Sequence, residues 1–223
     1  MNDGNLRTPR ALAVGVCQIE GKKLYTRSET ARSVYGEVTK KISGSYYRYW
    51  NPKRSKLSAA FIKGLKFFPF SETSNVLYLG ASTGTTVSHL SDICTLGKIY
   101  AVELSYEPFT KLLSLAENRT NIYPILEDAN LVERYSFFVE NVDIIYQDIS
   151  QRNQIQIFNN NADVFREARK ALLVIKIRAI SSRQNEEEIL NKAISEIDDF
   201  RVIQKVNLVP YDKANYMLYL ERK

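Results

Sequence analysis

The sequence predicts a doubly wound α/β sheet, preceded by a small β-rich part. Three observations carry that reading. From Ser74 onward, short apolar runs alternate with amphipathic stretches five times. The runs are continuously apolar, as strands covered on both faces are, and do not alternate with polar residues. The last two runs follow one another with no helical stretch between them. Repeated strand–helix alternation builds a mostly parallel sheet with helices on both sides.

The elements follow in order. Residues 11–50 are rich in Val, Ile, Tyr and Thr and are punctuated by Gly15, Gly21, Gly36 and Gly44. That composition predicts a few short strands, so a small N-terminal domain is expected over 1–52 and the main domain over 53–223. Asn51-Pro52 marks a turn, and Ser55 is placed to cap a helix starting near Lys56, with Leu57, Ala60, Phe61 and Leu65 on one face. The run 76–80 is the first strand of the main sheet, followed by a helix over about 85–93. Further strands are expected over 98–105, 121–129, 141–150 and 170–180, and further helices over 107–118, 151–169 and 185–198. Strands 201–210 and 214–222 close the sheet as a direct pair. Seven strands ending in such a pair describe the Rossmann-like sheet of class I methyltransferases.

Composition narrows the function before any motif does. The 223 residues suit one α/β domain with an appendage. The net charge of +6 favours an anionic partner only mildly. Cys17, Cys94 and His89 are the whole complement of cysteine and histidine. They are too few for a disulfide framework or a Cys/His zinc site, so no metal is expected and a reducing compartment is the default. A Ser-His-Asp hydrolase would have only His89 to use. No stretch reaches the roughly 18 apolar residues of a membrane helix, and the opening MNDGNLRTPR lacks the apolar core of a signal peptide. A soluble, cytoplasmic protein with no membrane partner is expected.

Ligands of such sheets sit beyond the carboxyl ends of the strands. There the first strand runs into Gly80-Ala81-Ser82-Thr83-Gly84-Thr85-Thr86. Glycines let the backbone approach a ligand closely, although a tight turn explains this motif alone equally well. Glu103 ends the second strand, where a carboxylate accepts hydrogen bonds from a ribose diol. Asp128 ends the third, within reach of an adenine amino group, and Asp148 ends the fourth. Each acid alone is a solvated loop carboxylate. Three at successive strand ends, with the glycine turn, suit an adenosyl ligand. An NAD enzyme would share Glu103 but lacks its G-x-G-x-x-G spacing here, and ranks well behind.

Two lysines stand out chemically. Lys176 interrupts the apolar run Leu172-Leu173-Val174-Ile175-Lys176-Ile177. A buried unpaired ammonium is costly, so it must pair, lose its proton or face a cleft. The simpler alternative ends the strand at Ile175 and leaves Lys176 exposed. Otherwise Lys176 lies beside Asp148, a plausible proton-handling pair. Lys56 falls in the basic run Lys53-Arg54-Ser55-Lys56 at a helix start, where the helix dipole disfavours cations. An anion docking nearby would account for it, as would a solvated turn. His89 reads as a satisfied helix residue. Tyr46, Tyr47, Tyr49 and Trp50 around Arg48 suit core packing better than stacking on bases.

Taken together, these motifs resemble the fibrillarin family, in its archaeal fibrillarin-like rRNA/tRNA 2′-O-methyltransferase form. The likeness runs through Val34-Tyr35-Gly36-Glu37, Tyr47-Arg48-Tyr49-Trp50-Asn51-Pro52 and Arg54-Ser55-Lys56-Leu57. It continues through Val76-Leu77-Tyr78-Leu79-Gly80, Gly84 to Asp92, Tyr100-Ala101-Val102-Glu103, Arg119-Thr120-Asn121-Ile122, Glu127-Asp128-Ala129 and Pro210-Tyr211-Asp212-Lys213. The resemblance implies S-adenosylmethionine as cofactor, in contact with Thr85, Thr86, Glu103, Leu104, Asp128, Ala129, Asp148, Ile149, Ser150 and Gln151, beside the glycine turn at Gly80, Ala81 and Gly84 read above. It implies a catalytic lysine, aspartate, lysine and histidine. The first three map to Lys56, Asp148 and Lys176. Where the family carries Asp-His, this sequence has Ala214-Asn215, and Asn215 can hydrogen-bond but cannot titrate near neutrality.

The resemblance also implies partners: a C/D box guide RNA, target rRNA and tRNA, a Nop5-type scaffold protein, and an L7Ae-type kink-turn protein met through the assembled particle. The expected activity is guide-directed methylation of the ribose 2′-hydroxyl. Two rivals stand beside it. Ala214-Asn215 motivates a catalytically weak, structural subunit of the same particle. A small-molecule methyltransferase would share the cofactor site, and the Lys53-Arg54-Lys56 cluster argues against it.

Overall fold

The computed structural model describes residues 10–21, 23–181 and 185–223. The opening segment read above for a leader lies outside them up to residue 9. Five short strands come first: β1 (Arg10–Ala13), β2 (Val16–Gln18), β3 (Leu24–Ser28), β4 (Thr39–Ile42) and β5 (Ser45–Tyr49). They form an antiparallel sheet of order β1-β2-β3-β5-β4. Ser43 and Gly44 both have positive φ, 49° and 82°, between the paired residues Ile42 and Ser45. Such two-residue turns match the twist of a hairpin.

This small sheet is fastened to the main one by a buried polar network. Arg48 has no exposed surface. Its Nε donates to Glu37 Oε1 at 2.6 Å, its Nη1 to Asp92 Oδ2 at 2.6 Å and its Nη2 to Ser88 Oγ at 2.9 Å. The His89 ring meets the Thr26 hydroxyl at 2.8 Å through Nδ1 and the Tyr35 hydroxyl at 2.7 Å through Nε2. Trp50 stacks on the same ring at a centroid distance of 5.2 Å. Burial, then the charges of Arg48 and Arg119, hold the His89 pKa well below the usual histidine value. His89 is therefore a neutral structural residue, as its sequence context suggests, and Arg48 and Trp50 belong to the core.

The main sheet holds β6 (Val76–Leu79), β7 (Ile99–Glu103), β8 (Ile122–Leu126), β9 (Ile144–Gln147), β10 (Lys170–Lys176), β11 (Phe200–Asn207) and β12 (Asn215–Arg222) in the order β11-β12-β10-β9-β6-β7-β8. β8 through β10 are parallel neighbours, and β12 runs antiparallel between β10 and β11. The helices are α1 (Lys56–Ile62), α2 (Thr85–Ile93), α3 (Tyr106–Ala116), α4 (Gln154–Val164), α5 (Ile177–Ile180) and α6 (Glu186–Ser195). Successive side chains of β6 enter opposite core layers, Val76 and Tyr78 on one face, Leu77 and Leu79 on the other. That is why its sequence reads as an unbroken apolar run. Ser55 caps α1 by accepting the Ser58 amide, and Leu57, Ala60 and Leu65 are buried, Leu65 just past the helix end.

Two expectations shift. The strand placed over 170–180 ends at Lys176 and turns into α5. Its parallel partner β9 pairs only as far as Gln147 with Leu173. The helix placed over 151–169 shortens to α4. Two 3-10 turns, Val132–Arg134 and Ser136–Phe138, fill the β8–β9 connection, for which the sequence suggested nothing. No helix among the described residues is long and apolar enough to cross a membrane.

Candidate active site

The glycine turn needs its glycines. Gly80 has φ +83°, and a Cβ there would lie 2.7 Å from the carbonyl oxygen of Asp148. The ends of β6 and β9 are thus closer than any side chain would allow. Gly84 has φ +84° and caps α2 without a side-chain bond. Ala81 is buried, and its amide donates to Val102 O at 3.0 Å. Thr85 is half-buried, and Thr86 donates to Ser55 Oγ at 3.0 Å, linking the turn to the cap of α1.

The strand-end acids order the loops around this turn. Glu103 Oε2 accepts the Ser82 amide at 2.7 Å and Oε1 the Ser105 amide at 2.8 Å. Each oxygen keeps lone-pair capacity for a diol. Leu104 beside it is exposed. Asp128 Oδ1 accepts both the backbone and side-chain nitrogens of Asn130, each at 2.9 Å, and Asn130 Nδ2 also reaches Gln151 Oε1 at 2.9 Å. Among the described residues Asp128 Oδ2 has no hydrogen-bond partner. Ala129 and Ile149 are buried and supply apolar walls. A diol acceptor, a free carboxylate oxygen and a cradle without Cβ atoms fit an adenosyl group.

At the adjoining strand end, one carboxylate lies between two ammonium groups. Lys176 Nζ is 2.7 Å from Asp148 Oδ1, and it donates to Asp148 O at 3.0 Å and Ser150 Oγ at 2.8 Å. Lys56 Nζ is 3.1 Å from Asp148 Oδ2 and 3.5 Å from Asp212 Oδ2. Burial alone would pull the Lys56 pKa down, but the carboxylates of Asp148 and Asp212 outweigh it and hold it above the usual lysine value. Lys56 is a fixed cation. Its sequence position at a helix start is explained by these two carboxylates. A small cavity of about 100 Å³ opens here, bounded by Lys56, Thr86, Asp148, Tyr211 and Asp212. A groove of about 1290 Å³ lies elsewhere, between the small sheet and α2–α3, and meets this region only at Arg54, Thr83 and Thr85.

Asn215 stands directly opposite Lys176 in the β10–β12 ladder, so both side chains leave the same face. It is half-buried, and among the described residues its side-chain amide has no hydrogen-bond partner. The structure thus brings Lys56, Asp148, Lys176 and Asn215 to one strand edge and rules out the alternative that leaves Lys176 exposed past Ile175. Sequence reasoning gave no role to Asp212, although it lies in the Pro210-Tyr211-Asp212-Lys213 motif. It passed over Gln154 altogether.

A seven-stranded sheet with a terminal antiparallel pair and its glycine turn and acids at the carboxyl edge defines an S-adenosylmethionine-dependent methyltransferase of the Rossmann-like class. Within that class, a sequence profile of the family described as Fibrillarin matches residues 9–223. The chain belongs to the fibrillarin family. The fibrillarin-like rRNA/tRNA 2′-O-methyltransferase of Picrophilus torridus is 58% identical over 203 residues, 91% of this chain and 95% of that protein. Fibrillarin of Aeropyrum pernix, crystallised with natively bound S-adenosyl-L-methionine, superposes with a TM-score of 0.87 at 35% identity, covering 96% of this chain and 98% of that one. A fibrillarin chain from a fibrillarin/Nop5p complex superposes with a TM-score of 0.88 at 41% identity, covering 96% of this chain and all of that one, 100%.

Proposed function

We propose that this chain is the catalytic subunit of a C/D box ribonucleoprotein. It transfers a methyl group from S-adenosylmethionine to the ribose 2′-hydroxyl of rRNA and tRNA, at nucleotides chosen by a guide RNA. The observation that carries the proposal is Asp148 held between Lys56 and Lys176 beside the glycine turn. The names of its relatives support the reaction class, and the Nop5p complex of a relative supports a Nop5-type scaffold. The L7Ae-type protein enters through the same particle. Delegating sequence choice to base pairing explains how a chain of modest charge acts on chosen sites. Two free, buried thiols, Cys17 and Cys94, suit a reducing cytoplasm.

The cofactor supplies a methyl group already activated by its sulfonium, so positioning contributes much of the rate. The target hydroxyl enters beside Asp148. Its oxygen forms the new bond to carbon as the sulfur–carbon bond breaks, and its proton passes to the Asp148–Lys176 pair. The Lys176 ammonium lowers the cost of charge on that oxygen. Asp148 orients Lys176. Lys56, a permanent cation, positions the hydroxyl or its neighbouring phosphate. Asn215 offers an unengaged amide as an auxiliary hydrogen-bonding group.

Cofactor affinity checks the adenosyl half of the site. Calorimetry should show Glu103→Ala and Asp128→Ala each weakening S-adenosylmethionine binding about tenfold, or about 1.4 kcal/mol. Unchanged affinity in both folded variants removes the assignment.

The activity test compares the isolated chain with the particle reconstituted from guide RNA and partner proteins. The particle should methylate the guide-paired nucleotide, and the chain alone should methylate poorly and without site choice. Efficient site-specific transfer by the chain alone overturns the guided reading. Absence of transfer in the particle, with Asn215→His equally silent, replaces it with the structural-subunit reading that Asn215 motivates.

A further inference from the structure

Gln154 opens α4 and has no exposed surface. A buried amide must find partners for both its ends. Gln154 finds a partner for each end on Lys176. Its Oε1 accepts the backbone amide of Lys176 at 3.0 Å, and its Nε2 donates to the backbone carbonyl of Lys176 at 3.3 Å and to that of Gln151 at 3.1 Å. The main-chain oxygen of Gln154 in turn accepts from Gln147 Nε2 at 2.7 Å.

Those contacts supply what a neighbouring strand would. On one side, Lys176 pairs with Asn215 of β12. On the other, the parallel pairing of β10 with β9 stops at Leu173 and Gln147. The last turn of β10, which carries the ammonium, therefore extends past its parallel partner. An N–H and a C=O facing a buried gap need substitutes, and the Gln154 amide provides both. Its third bond ties the same point to Gln151, whose side chain joins the Asp128–Asn130 loop network.

We propose that Gln154 is a positioning residue for methyl transfer. Its side-chain amide stands in for the missing strand, fixes the Lys176 backbone and so holds the Lys176 ammonium on Asp148. This inference rests on the reading of Lys176 as the working lysine. Gln154 touches neither of the reacting groups. It acts through the placement of Lys176, and an error of about 1 Å in a reacting group costs on the order of a hundredfold in rate.

The test uses single-turnover methylation in the reconstituted particle. Gln154→Met preserves length and removes the amide. Gln154→Asn keeps an amide but is one methylene too short to span both Lys176 contacts, and it serves if the methionine variant does not fold. The turnover rate at saturation should fall about tenfold to a hundredfold, with the KM for RNA unchanged. In a double-mutant cycle, Gln154→Met with Lys176→Ala should lose no more than Lys176→Ala alone, because the two changes remove one function. A purely structural Gln154 would give additive losses, and that result, or native turnover in a folded Gln154 variant, overturns the proposal. Native turnover in Lys176→Ala would instead overturn the reading of Lys176 and take this inference with it.

Discussion

Lys176→Ala should lower single-turnover methylation in the assembled particle about a thousandfold or more, while S-adenosylmethionine affinity stays within about a factor of two. The argument is local. Lys176 Nζ donates to Asp148 O and Ser150 Oγ and forms an ion pair with Asp148 Oδ1 at 2.7 Å. Removing the ammonium leaves Asp148 with Lys56 as its remaining cation and removes the group that meets charge developing on the attacking oxygen. The groups proposed to hold the adenosyl moiety, Glu103 and Asp128, keep their own separate bonds. A loss in turnover without a loss in cofactor affinity is the pattern of a group acting mainly in the transition state. Asn215→Ala should cost about tenfold or less, since an unbonded amide only assists. Asn215→His should introduce a pH dependence near neutrality. Near-normal turnover in Lys176→Ala would refute the mechanism.

The second large effect is on stability. Arg48→Ala should destabilise the fold by about 3–5 kcal/mol, because breaking a buried ion pair strands its partners. Those partners are the Glu37 and Asp92 carboxylates, whose side chains are 0% and 4% exposed, and chemical denaturation of the variant and parent measures the loss. The same network sets an acid limit. Burial would push the Glu37 carboxyl up, but the Tyr35 amide, the Arg48 charge and the Val34 amide together hold it below the usual range. A depressed carboxylate stabilises the fold at pH above its unfolded value and loses that contribution as pH falls through its folded one. His89 works in the same direction. It stays neutral when folded, whereas the unfolded chain takes up a proton below about pH 6.5, favouring the unfolded state. Melting temperature should therefore fall as pH is lowered below about 6.5, and fall less steeply in Arg48→Ala, whose Glu37 has lost its cation. A flat profile in the parent from pH 7 to about 4 would contradict this.

Much of the sheet and several groups of the candidate site could be read from the sequence because each signal was local. A glycine at the end of β6 and acids at the ends of β7 and β9, with Asp128 just past β8, lie where strand order alone predicts a ligand edge. Lys176 was legible because an ammonium has no apolar reason to follow Ile175. What escaped depends on distant chain segments meeting. Asp212 acquires its meaning only when the loop before β12 is laid beside α1. Gln154 looks like an ordinary amide in a helix until the early end of β9 shows what it replaces. Arg48 belongs to a residue type rarely fully buried, and its burial rests on Asp92, which reaches it only through the packing of α2 against β3 and β5. The overlong strand over 170–180 has the same origin. Apolar character continues past Lys176, but the hydrogen-bonding partner does not.

The fastening of the small sheet to α2 has a consequence for how the molecule comes apart. Thr26, Tyr35, Arg48 and Trp50 grip α2 between Ser88 and Asp92, three residues beyond the glycine turn where that helix begins. If β1–β5 were cut away, the imidazole of His89 and the carboxylate of Asp92 would lose partners inside the protein. The same helix that carries the glycine turn would also expose Leu90 and Ile93, which now share a core with Val16, Leu24 and Trp50. The two sheets should therefore melt in a single transition, and a fragment starting after the Asn51-Pro52 turn should be less stable than the whole chain, which calorimetry of both would measure.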